Sequence, residues 1–231
     1  GSDVAVPTIC KAAEKAGKFH FVSSRTAQLC CNKHLMREAF GQDSWFQVPY
    51  MVCKTLAEAE KASFYPMIMK PVDSQGQRGV YRVNTFTEVS EHFDSAMGFS
   101  KSGQIILEKY ISGREVSVNA YVKDGEVIFS MLSDRESFPD LPGGIIKAHH
   151  LPSVFENTKT HTYIKELVAE AVKKLKIGNG PVYFQIKVSD GHPYLIEVTP
   201  RLDGCHMWRL IKEYCGSVIR NTVSTVSSNS L

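Results

Sequence analysis

The 231-residue sequence lacks the features that direct a chain to a membrane or to a nucleic acid. No apolar run approaches the roughly 18 residues that a membrane-spanning helix requires, and no secretory leader pattern opens the chain. The formal net charge is only +3, and no lysine/arginine run accompanies it. We therefore expect neither a membrane partner nor a nucleic-acid partner.

The sequence also lacks any Cys-x-x-Cys pair, although it contains six cysteines. This spacing favours buried thiols in a reducing compartment, the cytoplasm, over a disulfide framework or a zinc site. A nucleophilic pair formed by Cys205 and His206 is disfavoured, because neighbours in sequence point to opposite faces of a strand. No Ser/His/Asp arrangement replaces it.

The two ends of the chain differ from its middle. Gly1-Ser2 is typical of a cleavage scar left by removal of an expression tag. We expect residues 1–22 to contain that scar and the end of a preceding domain, and residues 221–231 to form a polar tail. Between them, short strand-like runs alternate with amphipathic helical segments, which predicts an α+β fold.

The most informative stretch is a predicted hairpin, with strands at 182–188 and 194–199 joined by a turn around Asp190-Gly191. Gln185 and Glu197 interrupt its apolar pattern, and pairing of the strands brings both side chains onto one face. An amide oxygen and a carboxylate together are suitable ligands for Mg²⁺. The alternative is a surface hairpin with an ordinary salt-bridging glutamate.

Two earlier segments have a pattern that suits a nucleotide. Lys70 ends an apolar strand, and the loop that follows contains Gly76 and Gly79, whose backbone can approach a phosphate closely. Further on, Glu108 ends a strand and Glu115 opens the next, and a link of this kind can accept an adenine base and a ribose. The alternatives are a solvated hairpin loop and two solvated glutamates.

In this order, the motifs resemble the ATP-grasp superfamily of carboxylate–amine ligases. The order runs from the helix that opens at Asn32-Lys33, through the strand and loop around 67–80, to the link at 108–115 and the hairpin. The similarity is greatest to the branch with carbamoyl-phosphate synthase large chains, D-alanine ligases and L-amino-acid ligases, and it covers about residues 23–220.

The resemblance implies two α+β lobes with antiparallel sheets that grip ATP between them. The smaller lobe would span about 66–110 and the larger about 111–220. The family's preceding Rossmann-like domain would be represented only by its last residues, and that domain would be a partner of the site in the full-length chain. A homodimer is also possible.

The resemblance also implies a role for individual residues. Those expected to bind ATP are Lys33, Lys70, Ser74, Gln75, Gly76, Gly79, Glu108, Lys109, Ile111 and Glu115. The first two would hold phosphates, the 74–80 loop would close over them, Glu108, Lys109 and Ile111 would line the adenine slot, and Glu115 would hold the ribose. One or two Mg²⁺ ions, or Mn²⁺, would be bound by Gln185, Glu197 and Thr199. The catalytic residues would be Arg201 and Lys70.

The implied reaction joins a small-molecule carboxylate to an amine through an acyl-phosphate, with release of ADP and phosphate. Substrate contacts would come from the loop at 133–153. Two positions depart from the family pattern: Thr199 stands where asparagine is usual, and Gln185 where many members have an acid. These departures leave a nucleotide-binding module without turnover as an alternative. A grasp-type kinase is a third possibility.

Overall fold

The computed structural model describes residues 5–18, 22–138 and 145–215. The predicted polar tail at 221–231, and parts of the predicted leading segment at 1–22, lie outside the described residues. The helices are α1 Val6–Lys15, α2 Ser24–Cys31, α3 Lys33–Phe40, α4 Leu56–Ala59, α5 Phe86–Met97, α6 Lys159–Lys174 and α7 Met207–Cys215. The strands are β1 Tyr50–Cys53, β2 Met67–Pro71, β3 Tyr81–Val83, β4 Ile105–Lys109, β5 Arg114–Lys123, β6 Glu126–Ser137, β7 Ile146–His150, β8 Gly180–Ser189 and β9 His192–Thr199.

The strands form two antiparallel sheets, as predicted. The smaller sheet has the order β1-β4-β2-β3, and the larger has the order β7-β6-β5-β8-β9. The smaller sheet begins earlier than the predicted lobe boundary at about 66, because Tyr50–Cys53 pairs with β4. Pro49 precedes this strand, which lies at the edge of the sheet, where a missing backbone donor is tolerated.

Each sheet has its own apolar core. The larger sheet packs against α2, α3 and α6, and the smaller against α4 and α5. Helix α6 shows the reason in its sequence: Ile164, Leu167, Val168 and Ala171 recur at helical spacing and are all buried. Among the described helices, none is both long and apolar enough to cross a membrane.

Helix α3 lies where both sheets meet, and local sequence defines its two ends. The Asn32 side chain accepts a hydrogen bond from the backbone N–H of Leu35, and Gly41 follows the last residue with a φ of 81°. The backbone N–H of Lys33 donates to the carbonyl of Val72, just beyond β2. The first turn of α3 is therefore fixed against the smaller sheet, beside the loop at 74–80.

Candidate functional site

A cavity of about 500 Å³ lies between the two sheets. Its polar lining includes side chains from α3, β2, the loop at 74–80, β4, β6, β8, β9 and the segment after β9. Those side chains belong to Lys33, Lys70, Ser74, Gln75, Gln77, Glu108, Lys109, Arg135, Tyr183, Gln185, Lys187, Glu197, Arg201 and Asp203. A volume of this size and a lining with cations and oxygen donors suit a nucleotide-sized ligand.

Glu108 lines the cavity and carries the negative charge that two neighbouring cations share. Its carboxylate is buried and lies 2.5 Å from Nζ of Lys70 and 2.8 Å from Nε of Arg37. Burial raises the pKa of this carboxyl, but the positive charges of Lys70 and Arg37 and their hydrogen bonds outweigh it and lower the pKa to about 2. Glu108 is thus ionised and holds Lys70 in place at the cavity wall.

Lys33 reaches the loop at 74–80 directly, since its Nζ donates a 2.7 Å hydrogen bond to the carbonyl of Ser74. Burial lowers the pKa of Lys33, whereas the neighbouring carboxylate of Glu197 acts in the opposite direction. An incoming polyphosphate would stabilise the charged ammonium in the same way as a carboxylate does. The structure therefore brings Lys33, Lys70 and the start of the loop to one end of the cavity.

The two loop glycines have different surroundings. Gly76 has a φ of 68° and no atom within 4 Å of the position a Cβ would take. Gly79 has a φ of 70°, but a Cβ there would lie 2.9 Å from the ring of Phe99 and 3.3 Å from the backbone of Ala96. Gly76 borders the cavity, whereas Gly79 is buried against α5 and does not line it.

The hairpin of β8 and β9 places its polar residues opposite each other. Gln185 is paired with Glu197, and a β-bulge follows at Ile196. The bulge brings both Ile196 and Glu197 to the cavity, although neighbours on a regular strand face opposite sides. An amide oxygen and a carboxylate on directly paired residues are suitable ligands for Mg²⁺, which prefers oxygen.

Thr199 is not part of the cavity lining, yet it is on the same face. It pairs with Tyr183, two residue pairs along the ladder from Gln185 and Glu197. Its side chain is buried, and its Oγ1 has no hydrogen-bond partner among the described residues. A buried hydroxyl without a partner costs free energy, so this atom is available to a cation bound beside it.

Glu115 is engaged by protein groups and does not line the cavity. Its carboxylate is ion-paired with Arg135 and with Lys187, at 3.4 Å for the latter, and it accepts a 2.7 Å hydrogen bond from Nε2 of Gln185. The role of Glu115 in holding a ribose stays a prediction.

Lys109 and Ile111 border the cavity at the link between the sheets. The backbone N–H of Lys109 donates to the carbonyl of Pro49, and that of Tyr110 to the carbonyl of Pro66. These two backbone N–H groups are therefore used within the protein, and the contact of Lys109 and Ile111 with an adenine base stays a prediction.

The sequence prediction did not assign Arg37, Tyr183, Lys187 or Asp203 to the site. Arg37 is fully buried, and in addition to its bond to Glu108 it donates to the carbonyls of Leu195, at 2.7 Å, and Ile196. Arg37 lies one helical turn after Lys33 on α3, so the sequence already indicated that both side chains share one face of the helix. Tyr183, Lys187 and Asp203 line the cavity, but nothing in their local sequence distinguishes them from their neighbours. Arg135 also lines it and falls within the predicted substrate-contact segment at 133–153, although the structure has it in β6 rather than in a loop.

Comparison with known proteins identifies the family. A family model described as an ATP-grasp domain matches residues 63–208. The chain belongs to the ATP-grasp family, as the sequence motifs predicted. Members of this family bind ATP with Mg²⁺, act on small molecules, and are mostly ADP-forming carboxylate–amine ligases.

Three relatives show how far the similarity extends. The carbamoyl phosphate synthase large chain of Thermoanaerobacter pseudethanolicus is 26% identical over 147 residues, which are 59% of this chain and 13% of that protein. Dapdiamide A synthase of Enterobacter agglomerans is 21% identical over 199 residues, 80% of this chain and 45% of that protein. The crystal structure of L-amino acid ligase from Bacillus licheniformis superposes with a TM-score of 0.71 at 27% identity, covering 91% of this chain and 50% of that one.

The superposition confirms the predicted α+β fold with two antiparallel sheets. The chain spans half or less of the length of each of these three relatives. The substrates and partners of the whole protein are accordingly matters for proposal.

Proposed function

We propose that this chain is the ATP-binding part of a ligase that joins a small-molecule carboxylate to an amine, with ATP converted to ADP and phosphate. The observation that carries the proposal is the set of side chains that share the cavity. Lys33, Lys70, Gln185 and Glu197 all line it, and Glu197 is close enough to Lys33 to act on its pKa. A polyphosphate bound there would meet the two ammonium groups, and a cation held by the amide and carboxylate oxygens would neutralise further phosphate charge.

In the first step, an oxygen of the substrate carboxylate attacks the γ-phosphorus of ATP, and the bond from that phosphorus to the β-phosphate oxygen breaks. The products are an acyl-phosphate and ADP. Lys33 and Lys70 would neutralise charge on the transferring group, and Arg201 would hold the acceptor carboxylate. Mg²⁺ held by Gln185, Glu197 and Thr199 would neutralise further phosphate charge.

In the second step, the amine attacks the acyl carbon, the carbon–oxygen bond to phosphate breaks, and the nitrogen loses a proton. Neither step requires a nucleophilic side chain, because positioning and charge neutralisation supply the catalysis. This agrees with a cavity whose polar groups are mainly cations, amides and carboxylates.

A nucleotide-binding module without turnover is the second candidate, and Thr199 is the observation that favours it. A hydroxyl is a weaker metal ligand than the amide that the family pattern has at this position. With Gln185 also neutral, only Glu197 would contribute negative charge to the bound cation.

Hydroxylamine trapping tests the proposal, because hydroxylamine converts an acyl-phosphate into a stable hydroxamate. The protein would be incubated with ATP, Mg²⁺, hydroxylamine and a panel of amino acids and other carboxylates. We expect at least one carboxylate to give hydroxamate and ADP in equal amounts. Lys33→Met should abolish both products, whereas Lys123→Met, at the last residue of β5, should not.

Two other outcomes would overturn the ligase proposal. ATP binding without ADP release across the panel, measured by calorimetry and ADP detection, would support the module without turnover. ADP release together with a phosphorylated product that hydroxylamine does not trap would identify a kinase.

A further inference from the structure

We propose that His149, Asp203 and Cys205 form a second cation site, selective for Zn²⁺ over Mg²⁺ and separate from the Gln185–Glu197 pair. The ligand atoms of these three side chains all lie within 4.8 Å of one another. They come from β7 and from the segment after β9, so the sequence alone does not bring them together. The expectation from cysteine spacing was that the chain has no zinc site.

The first argument is the presence of two buried polar atoms without partners. The side chains of His149 and Asp203 are 3% and 8% exposed. Among the described residues, Nε2 of His149 and Oδ2 of Asp203 have no hydrogen-bond partner. Their separation of 3.7 Å is too long for a hydrogen bond. A cation between them would satisfy both atoms.

The separation also fits a shared ion. Zinc bonds of about 2.0–2.3 Å at tetrahedral angles place neighbouring ligand atoms about 3.3–3.6 Å apart. The 3.7 Å between Nε2 of His149 and Oδ2 of Asp203 needs little contraction. Cys205 is exposed, which gives an ion a path from solvent and leaves a fourth position for water.

The second argument is that two serine hydroxyls hold the ring of His149 in place. Its Nδ1 lies 3.1 Å from Oγ of Ser133 and 3.4 Å from Oγ of Ser117, and the two hydroxyls are 2.9 Å apart. Metal-binding histidines use the other ring nitrogen in this way, because the hydrogen bond fixes the tautomer and the ring orientation. In the tautomer in which Nδ1 donates to a serine hydroxyl, the lone pair of Nε2 is directed toward Asp203.

The same contacts disfavour a Cys-His-Asp nucleophilic triad. In a triad, the acid and the thiol lie on opposite ring nitrogens of the histidine. In this chain the serine hydroxyls occupy Nδ1 and Asp203 lies nearest Nε2, so no second ring nitrogen is left for the thiol of Cys205. An ion shared by the three side chains accommodates all of them. A soft thiolate and an imidazole select Zn²⁺, whereas Mg²⁺ prefers oxygen ligands.

Titration with Co²⁺ in place of Zn²⁺ tests the site directly, because a cobalt–thiolate bond gives a charge-transfer absorption that oxygen ligands do not give. In the presence of excess Mg²⁺ and without nucleotide, we expect one Co²⁺ per chain with this absorption, displaced by Zn²⁺. This readout does not depend on ligase activity, so its result is separate from the test of the proposed function.

Variants with matched controls assign the ligands. Cys205→Ser should abolish the charge-transfer absorption, and His149→Gln and Asp203→Asn should each weaken Zn²⁺ binding at least tenfold. Ser133→Ala should weaken it by about tenfold, through the loss of support for the ring. The controls are Cys215→Ser in α7 and His150→Gln, whose exposed ring is paired with Glu136.

Two results would overturn the proposal. One is unchanged Zn²⁺ affinity and absorption in Cys205→Ser and His149→Gln. The other is an equal loss in His150→Gln, which would assign the binding to the surface pair of His150 and Glu136. Circular dichroism of each variant, together with the thermal unfolding temperature with and without Zn²⁺, separates loss of the site from loss of the fold.

Discussion

Nε2 of Gln185 donates a 2.7 Å hydrogen bond to Oε1 of Glu115. The residue predicted to bind Mg²⁺ and the residue predicted to hold the ribose are therefore in direct contact, across the pairing of β5 with β8. This contact directs the amide nitrogen of Gln185 away from a cation and leaves its oxygen available as the ligand. Nucleotide binding and metal binding should consequently depend on each other.

The first prediction is a measurable coupling between these two residues. Gln185→Ala and Glu115→Ala should each raise both the KM for ATP and the Mg²⁺ concentration required for half-maximal ADP release, by about tenfold. In the double variant the effects should be smaller than their sum, because each single change already breaks the shared contact. Glu126→Ala, at the exposed start of β6, is the control. Strictly additive effects would contradict the coupling.

The second prediction concerns the stability provided by Arg37. Arg37→Met leaves the buried carboxylate of Glu108 with Lys70 as its remaining cation and removes donors from two backbone carbonyls of β9. Removing one partner of a buried ion pair typically costs about 3–5 kcal/mol. Urea unfolding should show a loss of this size, and Arg25→Met, on the exposed side of α2, should show almost none. A loss below about 1 kcal/mol would contradict the assigned role.

The third prediction is that Glu108 contributes to the free energy of unfolding and that this contribution is lost in acid. Its pKa is lowered from 4.5 to about 2 in the folded chain. The unfolded chain therefore takes up a proton first as the pH falls, and the stability that this group provides above pH 4.5 is lost between 4.5 and about 2. The loss should be about 3 kcal/mol.

Urea unfolding across this pH range measures the loss of stability. Glu108→Gln removes this group and should flatten the acid limb of the curve, whereas Glu126→Gln should leave it unchanged. An acid limb of equal slope in Glu108→Gln and in the wild type would show that other carboxylates account for it.

The fourth prediction separates the metal role of Thr199 from packing. Its Oγ1 has no hydrogen-bond partner among the described residues, so Thr199→Val removes no protein hydrogen bond and should leave stability unchanged or slightly higher. If the hydroxyl binds Mg²⁺, the same variant should need several times more Mg²⁺ for activity, and Thr199→Asn should need less. An unchanged Mg²⁺ requirement in both variants would show that Thr199 is not a ligand.

The fifth prediction contrasts Gly76 with Gly79. Both have a positive φ, which costs a residue with a Cβ about 1–2 kcal/mol. Gly79→Ala adds a clash with Phe99 and Ala96, so it should destabilise the chain by more than Gly76→Ala, whose Cβ meets open space. Gly76→Ala should mainly raise the KM for ATP, because it stiffens a segment that borders the cavity. Thermal unfolding and ATP titration of the pair measure the two effects, and the opposite ranking of stability would count against this assignment.

Local signals in the sequence were sufficient to predict several helices and strands. The predicted helix that opens at Asn32-Lys33 matched the start of α3, because the Asn32 side chain caps it. The hairpin of β8 and β9 was predicted from its β-branched residues and its Asp190-Gly191 turn, and the observed strands extend it by a few residues. These features depend on neighbours within a few residues, which the sequence displays directly.

Other features depend on contacts between distant residues, and the sequence alone did not display them. Arg37 bonds to residues 71 and 158 positions away. His149 approaches Asp203 only because β7 folds back along β6 and the chain passes beyond β9. Glu108 was predicted to line the adenine slot, and its ion pairs with Lys70 and Arg37 became visible only when β2 and β4 were paired and α3 was placed beside them.

The contacts of Arg37 also limit how the cavity can open. This one side chain joins Glu108 in the smaller sheet to Leu195 and Ile196 in the larger sheet. Separation of the two sheets would leave the buried guanidinium of Arg37 without its hydrogen-bond partners. The free-energy barrier to that separation is therefore high. The exchange of ADP for ATP should therefore proceed by movement of the loop at 74–80, whose contact with Lys33 is a single hydrogen bond from a flexible side chain, while the two sheets stay in register.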